Sequence, residues 1–101
     1  MLDFRSVTVN FPTLAGGPQR QTSFAVFGTA VRVANTAIKG FDIFYGNGDH
    51  HVLRQQVDID VLSINNNVVN FAVDLVLRDS SGNFDDPFGG SVEVLVIADV
   101  A

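Results

Sequence analysis

Apolar and polar residues alternate along much of the chain, most clearly in two neighbouring segments. In residues 53–63 one parity carries Leu53, Val57, Ile59 and Val61, and the other carries Arg54, Gln56, Asp58 and Asp60. The same alternation returns in residues 69–77. Successive side chains of a strand point to opposite faces of a sheet. Both segments therefore predict β-strands with one face in a core.

Further strands are predicted from less regular runs at residues 5–11, 21–27, 30–34, 37–45 and 91–100. The last run is apolar on both parities, which is expected of a strand covered on both faces. Segments rich in Gly, Pro, Asn and Ser separate the runs and predict turns. Six or seven short strands at this spacing predict an all-β fold, an antiparallel β-sandwich.

Three asparagines, Asn65 to Asn67, lie between the two most regular segments. Asparagine tolerates the positive φ that tight hairpins require. We expect a hairpin here, closed with Ile64 opposite Val68, because this register keeps the apolar residues of both strands on one face.

This register places like charges opposite each other, with Asp58 facing Asp74 and Arg54 facing Arg78. Such pairs destabilise a sheet by about 0.2–1 kcal/mol each. An acidic patch of Asp58, Asp60 and Asp74 then lies beside the basic pair on the outward face. Two interpretations remain open: a homo-oligomer whose copies place acidic patch against basic pair, or solvated charges screened by water and salt.

Length and composition favour one domain covering residues 1–101. Of the 101 residues 47% are hydrophobic and 17% charged, and nine are phenylalanine, which is enough apolar surface for a core. The net charge of −5 and the absence of a basic stripe argue against a nucleic-acid partner. Without cysteine, the chain has neither a disulfide framework nor a thiolate.

The start of the chain lacks a basic segment followed by an apolar run, and no stretch approaches the roughly 20 apolar residues of a membrane span. We therefore expect a soluble protein with no signal peptide in this chain and no membrane span. The sequence does not indicate the cellular compartment of the protein.

Two loops carry candidate metal ligands. Asp49, His50 and His51 suit a transition metal, but adjacent strand residues point to opposite faces, which disfavours a shared ion. The loop at residues 78–90 offers oxygen ligands for calcium from Asp79, Ser81, Asn83, Asp85 and Asp86.

This second loop lacks both the glycine position and the closing glutamate of the helix-loop-helix calcium pattern. We predict no cofactor, with calcium at Asp79, Asn83, Asp85 and Asp86 as the alternative. The sequence also lacks a recognisable nucleophile arrangement, so we predict that the protein is not an enzyme.

Residues 24–100 resemble the H-type lectin domain, a family of short antiparallel sandwiches. The matching segments are residues 24–27 (FAVF), 37–43 (AIKGFDI), 53–54 (LR), 67–71 (NVVNF) and 92–98 (VEVLVIA). The resemblance implies trimers that bind galactose-type sugars, with Asp42, Arg54, Arg78 and Asp79 as ligand-binding positions near subunit boundaries. The aromatic and histidine that family members carry at the end of the fifth strand are replaced here by residues 77–79 (LRD).

Two functions thus remain open at the level of sequence. The first is a carbohydrate-binding, lectin-like module that acts as a homo-oligomer. The second is a non-catalytic structural or assembly protein, such as a particle or phage-type component, whose sandwich serves to oligomerise. Fold class alone does not choose between them.

Overall fold

The computed structural model of the chain describes residues 1–46, 52–79 and 86–101. These residues form six antiparallel strands: β1 Leu2–Leu14, β2 Gln19–Val26, β3 Val31–Tyr45, β4 Val52–Asn65, β5 Val68–Asp79 and β6 Phe88–Val100. The strands make two three-stranded sheets, a first sheet in the order β1-β6-β3 and a second in the order β2-β5-β4. The predicted all-β, antiparallel architecture is confirmed, with six strands in two layers.

The core lies between the central strands of the two sheets. Each central strand turns one row of side chains inward, and these rows are fully buried: Val69, Phe71, Val73 and Leu75 on β5, and Val92, Val94 and Val96 on β6. Removing apolar surface from water at about 25 cal/mol per Å² is the main term that favours this stacking. The period-two pattern of the sequence is therefore the pattern of the core.

Strand β3 is longer than the sequence indicates. The two predicted runs at residues 30–34 and 37–45 form one continuous strand, Val31–Tyr45. Its pairing with β6 shifts register between Ile38 and Gly40. Such a β-bulge inserts one extra residue, which interrupts the alternation.

The β4–β5 hairpin differs from the prediction at its turn. Asn65 pairs with Val68, so Asn66 and Asn67 alone form the loop, and Asn66 has a φ of 56°. The predicted pairing of Ile64 with Val68 is therefore wrong by one residue, because a two-residue loop suits the twist of a hairpin.

A bulge between Val61 and Ser63 restores the predicted register farther along the hairpin. Asp58 does pair with Asp74, and Arg54 with Arg78. These two like-charge pairs are confirmed.

Strand β6 lies at the centre of the first sheet, between β1 and β3. Its inward residues are buried, whereas Leu95 and Ile97 on the outward face are only partly buried. The expectation that both faces are covered is therefore met for the inner face alone.

The two ends of the molecule differ. At the end that carries the β4–β5 turn, the Asn67 side-chain amide donates to the Phe27 carbonyl at 2.9 Å, and the Phe27 N–H donates to the Asn67 carbonyl at 2.8 Å. Nearby, a hydrogen bond from the Met1 ammonium lowers the pKa of the Asp99 carboxyl, and Arg32 acts in the same direction. At the opposite end, which we call the loop end, β1, β3 and β5 end and β2, β4 and β6 begin.

No helix long and apolar enough to cross a membrane occurs among the described residues.

Strand β6 requires glycine at position 90, where the backbone of β3 approaches it closely. Gly90 has a φ of 149°, and a Cβ there would overlap the Asp42 carbonyl oxygen of β3. We predict that Gly90→Ala lowers the free energy of unfolding by about 1–3 kcal/mol or more, because alanine would have to adopt an unfavourable φ and its Cβ would clash with the backbone of β3. Urea denaturation measures this change. Gly28→Ala, where the new Cβ meets no atom within 4 Å, is the control. Equal stability of the two variants would contradict the described β3–β6 approach.

Candidate functional site

A polar hollow opens at the surface of the first sheet, toward the loop end. Gly40, Phe41, Asp42, Ser91 and Glu93 line it, and its volume is about 220 Å³. The hollow lies on β3 and β6, and it includes Asp42, one of the positions that the lectin resemblance implies for ligand binding.

Strand register explains why polar groups gather there. Ser91 of β6 pairs with Asn10 of β1 on one side and with Asp42 of β3 on the other. One step along, Glu93 pairs with Thr8 and with Gly40. Both rows flank the buried Val92, so they face outward, because paired residues share a face and neighbours alternate.

An exposed phenylalanine extends this surface. Phe44 follows Asp42 by two residues on β3, so both side chains project from the same face. Its register partner is Gly89, which has no side chain to cover the ring. Phe44 accordingly keeps 47% of its surface exposed. We call Asp42, Phe44, Ser91 and Glu93 the β3–β6 polar site.

The carboxylates of this site are available to a ligand. Within the described residues, neither Asp42 nor Glu93 forms a hydrogen bond or an ion pair through its side chain. Both side chains are exposed. The site therefore presents two acceptor groups and a hydroxyl beside an apolar ring, an arrangement suited to a small polyhydroxyl ligand.

The other predicted ligand-binding positions lie on the second sheet. Arg54 and Arg78 pair across β4 and β5 on its outward face. The backbone of Asp79 pairs with Val52 at the end of β5, and the Asp79 side chain lies outside the described part of the structure. All four predicted positions are thus near the loop end, but the core separates Asp42 from the two arginines. One chain does not bring them into a single site.

The predicted acidic patch is also on the second sheet. Oxygens of Asp58, Asp60 and Asp74 all lie within 4.8 Å of one another, so these are the described residues placed to share a cation. Arg20 of β2 offsets part of this charge, since its Nε lies 3.7 Å from Asp74 Oδ1. The interface role proposed for this patch and for Arg54 and Arg78 stays a prediction.

Most loop candidates for metal binding lie outside the described residues. These are Asp49, His50, His51, Ser81, Asn83 and Asp85. Asp86 is described and partly exposed, just before Pro87. The calcium hypothesis for the second loop therefore stays a prediction.

Sequence analysis missed two functional candidates, Phe44 and Glu93. Neither stands in a motif, and only the β3–β6 register places them beside Asp42. A phenylalanine two residues after an acidic residue, and therefore on the same strand parity, is the sequence signal that points to Phe44.

Comparison of the chain with protein-family models, with curated proteins and with solved structures finds no match. The assignment of a function therefore rests on the residues and on their geometry.

The acidic patch generates a prediction about stability. Asp58→Asn removes one partner of a like-charge pair, so we expect the free energy of unfolding at low salt to rise by up to about 0.5 kcal/mol. The gain should shrink at high salt, because ions screen exposed charges. Urea denaturation at two salt concentrations measures it.

Asp74→Asn is the matched control, since it removes the same repulsion together with the ion pair to Arg20. We expect its gain to be smaller. Loss of stability in Asp58→Asn at low salt would mean that the carboxylate is held by an attractive partner.

Proposed function

We propose that this chain is a carbohydrate-binding module that acts as a homo-oligomer, with the β3–β6 polar site as its sugar site. One observation supports it above all: the unpaired carboxylates of Asp42 and Glu93 lie on the same sheet face as the exposed ring of Phe44. Sugars present both hydroxyl groups and an apolar ring face, so they need both kinds of contact.

The chemistry of each contact is simple. Sugar hydroxyls donate hydrogen bonds to the Asp42 and Glu93 carboxylates, and bonds to a charged acceptor are stronger than bonds between neutral groups. The Ser91 hydroxyl both donates and accepts. The apolar face of the sugar packs on the Phe44 ring, which supplies apolar contact area. Each group acts by binding and orientation, and no step of covalent chemistry is involved.

The size of the site argues for several sites acting together. The hollow between Asp42, Ser91 and Glu93, which Phe44 does not line, has a volume of about 220 Å³, smaller than the roughly 300–1,000 Å³ of typical ligand pockets. A single shallow site of this kind holds one sugar unit weakly. An oligomer presenting several copies gains affinity through effective concentration, without any new contact.

The resemblance to H-type lectins implies ligand-binding sites at subunit boundaries, in addition to the β3–β6 polar site. Asp42 and the pair Arg54 and Arg78 occupy opposite sheets, so they contribute to one ligand only if two copies meet there. Asp79 is grouped with the two arginines because it lies at the end of β5, directly after Arg78. This part of the proposal rests on the resemblance, whereas the β3–β6 polar site rests on the fold.

The second candidate is a structural or assembly protein that uses the sandwich to oligomerise. It is favoured by the many large apolar side chains exposed on both sheets, including Phe4, Val33, Phe24 and Leu62. Large exposed apolar patches commonly mark interaction surfaces. This candidate requires no sugar.

A glycan array with the wild-type chain separates the two candidates. We expect multivalent binding to a subset of sugars, and at least a roughly tenfold loss of affinity in Asp42→Asn and in Phe44→Ala. Phe24→Ala is the matched control, because Phe24 is 58% exposed but lies on the second sheet. It should bind as the wild type does.

The array also tests the boundary site. In protein that keeps its oligomeric state, Arg54→Ala weakens binding only if the arginine reaches a ligand held by another copy. Silence of the wild type across all sugars would favour the assembly protein. Sugar binding that survives both Asp42→Asn and Phe44→Ala in folded protein would place the site elsewhere.

A further inference from the structure

We infer that a second copy of this chain covers one long side of the sandwich, the side formed by the edge strands β3 and β4. We call it the open side and define it by the inward-facing residues Ile38, Phe41, Val57, Ile59 and Val61. The inference specifies the interface of the proposed homo-oligomer, and it does not depend on sugar binding.

Inward side chains are fully buried on the central strands but partly exposed on the open side. Leu75, Val73 and Phe71 of β5 are fully buried. Their register partners on β4, which are Val57, Ile59 and Val61, face the same core but are only partly buried. Apolar side chains that belong to the core therefore remain in contact with water along β4.

Strand β3 repeats the pattern on the other sheet. Ile38 and Phe41 pair with Val94 and Val92, which are fully buried. Yet Ile38 is 45% exposed and Phe41 is 52% exposed. Both edges of the open side thus present apolar residues that face inward and are left uncovered within one chain.

The opposite long side, formed by β1 and β2, is built differently. Its partly buried inward positions are mostly polar, with Asp3 and Arg5 on β1 and Gln21 and Ser23 on β2. The chain places groups there that can remain in contact with water.

Arg5 closes this polar side within the chain. Its Nε donates to the Val26 carbonyl at 2.9 Å, and an Nη donates to Asp3 Oδ1 at 3.0 Å. Its guanidinium lies 4.8 Å from the centre of the Phe27 ring, a cation–π contact. The five residues that define the open side carry no polar side chain that could close it in this way. The contrast indicates that β1 and β2 face solvent and that β3 and β4 face a partner.

The dimensions of the open side suit a protein partner. The molecule is 49 Å long and 17–19 Å across. A long side of a molecule of these dimensions can supply the roughly 800 Å² per partner that a stable interface of standard size buries, with the apolar open side at its centre. A small ligand would leave most of this side uncovered.

A second copy fits the chemistry of the surface. The centre of the open side is apolar, and charged residues of both signs lie on the edge strands that flank it: Asp42 on β3, and Arg54 and Asp58 on β4. An apolar centre with a polar rim is the usual anatomy of an interface. Because every copy carries both signs, rotation about a symmetry axis can pair them, as closed oligomers require.

Bulges limit how the two copies can meet. The pairing of β3 shifts between Ile38 and Gly40, and that of β4 shifts between Val61 and Ser63. Bulges in edge strands disrupt continuous pairing with another sheet. Contact through side chains in a closed assembly is therefore favoured over an open-ended ladder of strands.

Analytical ultracentrifugation over a dilution series tests the interface. We expect the wild type to self-associate, and Ile38→Glu to weaken self-association by about 100-fold or more, because a buried carboxylate loses its hydration. Val26→Glu is the matched control, since Val26 is 49% exposed on the outer face of β2. It should associate as the wild type does. Wild type that stays monomeric up to about 1 mM overturns the inference.

Hydrogen exchange of the wild type gives a second readout that needs no variant. Protection of β3 and β4 amides should rise with protein concentration, whereas protection of β1 and β2 amides should not. The reverse pattern overturns the inference even if an oligomer forms. An oligomer that binds no sugar would contradict only the proposed sugar site. A monomer that binds sugar would contradict only the proposed interface on the open side.

Discussion

Burial of the inward rows of β5 and β6 is the interaction on which the rest of the structure depends. Each row belongs to the central strand of a three-stranded sheet, so it is covered by the facing sheet and by a neighbour on both sides. Every other strand takes its register from one of these two. A sheet of three strands also has two edges, and inward residues of an edge strand lack a neighbour on one side. Because the sheets are narrow, inward residues along both long sides are incompletely covered. The side formed by β1 and β2 carries mostly polar residues at these positions, whereas the side formed by β3 and β4 carries apolar ones.

The candidate site and the open side share strand β3. Asp42 and Phe44 project outward from it, while Ile38 and Phe41 project inward. A partner that packs on the inward residues would therefore lie near the sugar site without occupying it. This arrangement accommodates sites near subunit boundaries, and it also provides the several sites that a shallow hollow needs. Binding and assembly can still be tested separately, because Phe44 belongs to the sugar site alone and Ile38 to the open side alone.

The sequence predicted local features well. Alternation in β4 and β5 identified both strands and the like-charge pairs, because the connecting turn lies between them in the chain. It did not predict the bulges near Gly40 and Leu62, since one extra residue leaves no periodic signal. The ion pair of Arg20 with Asp74 depends on the pairing of β2 with β5, which are distant in sequence. The grouping of Phe44 and Glu93 with Asp42 likewise required the β3–β6 register.

The central claim is that a single chain leaves part of its core uncovered along β3 and β4. Small-angle X-ray scattering of the wild type over a concentration series tests it most directly, because it measures particle size in solution. The Cα atoms of a single chain have a radius of gyration of 15.5 Å. The account predicts a clearly larger radius at high concentration that falls toward this value on dilution. A radius near 15.5 Å at every concentration would contradict it.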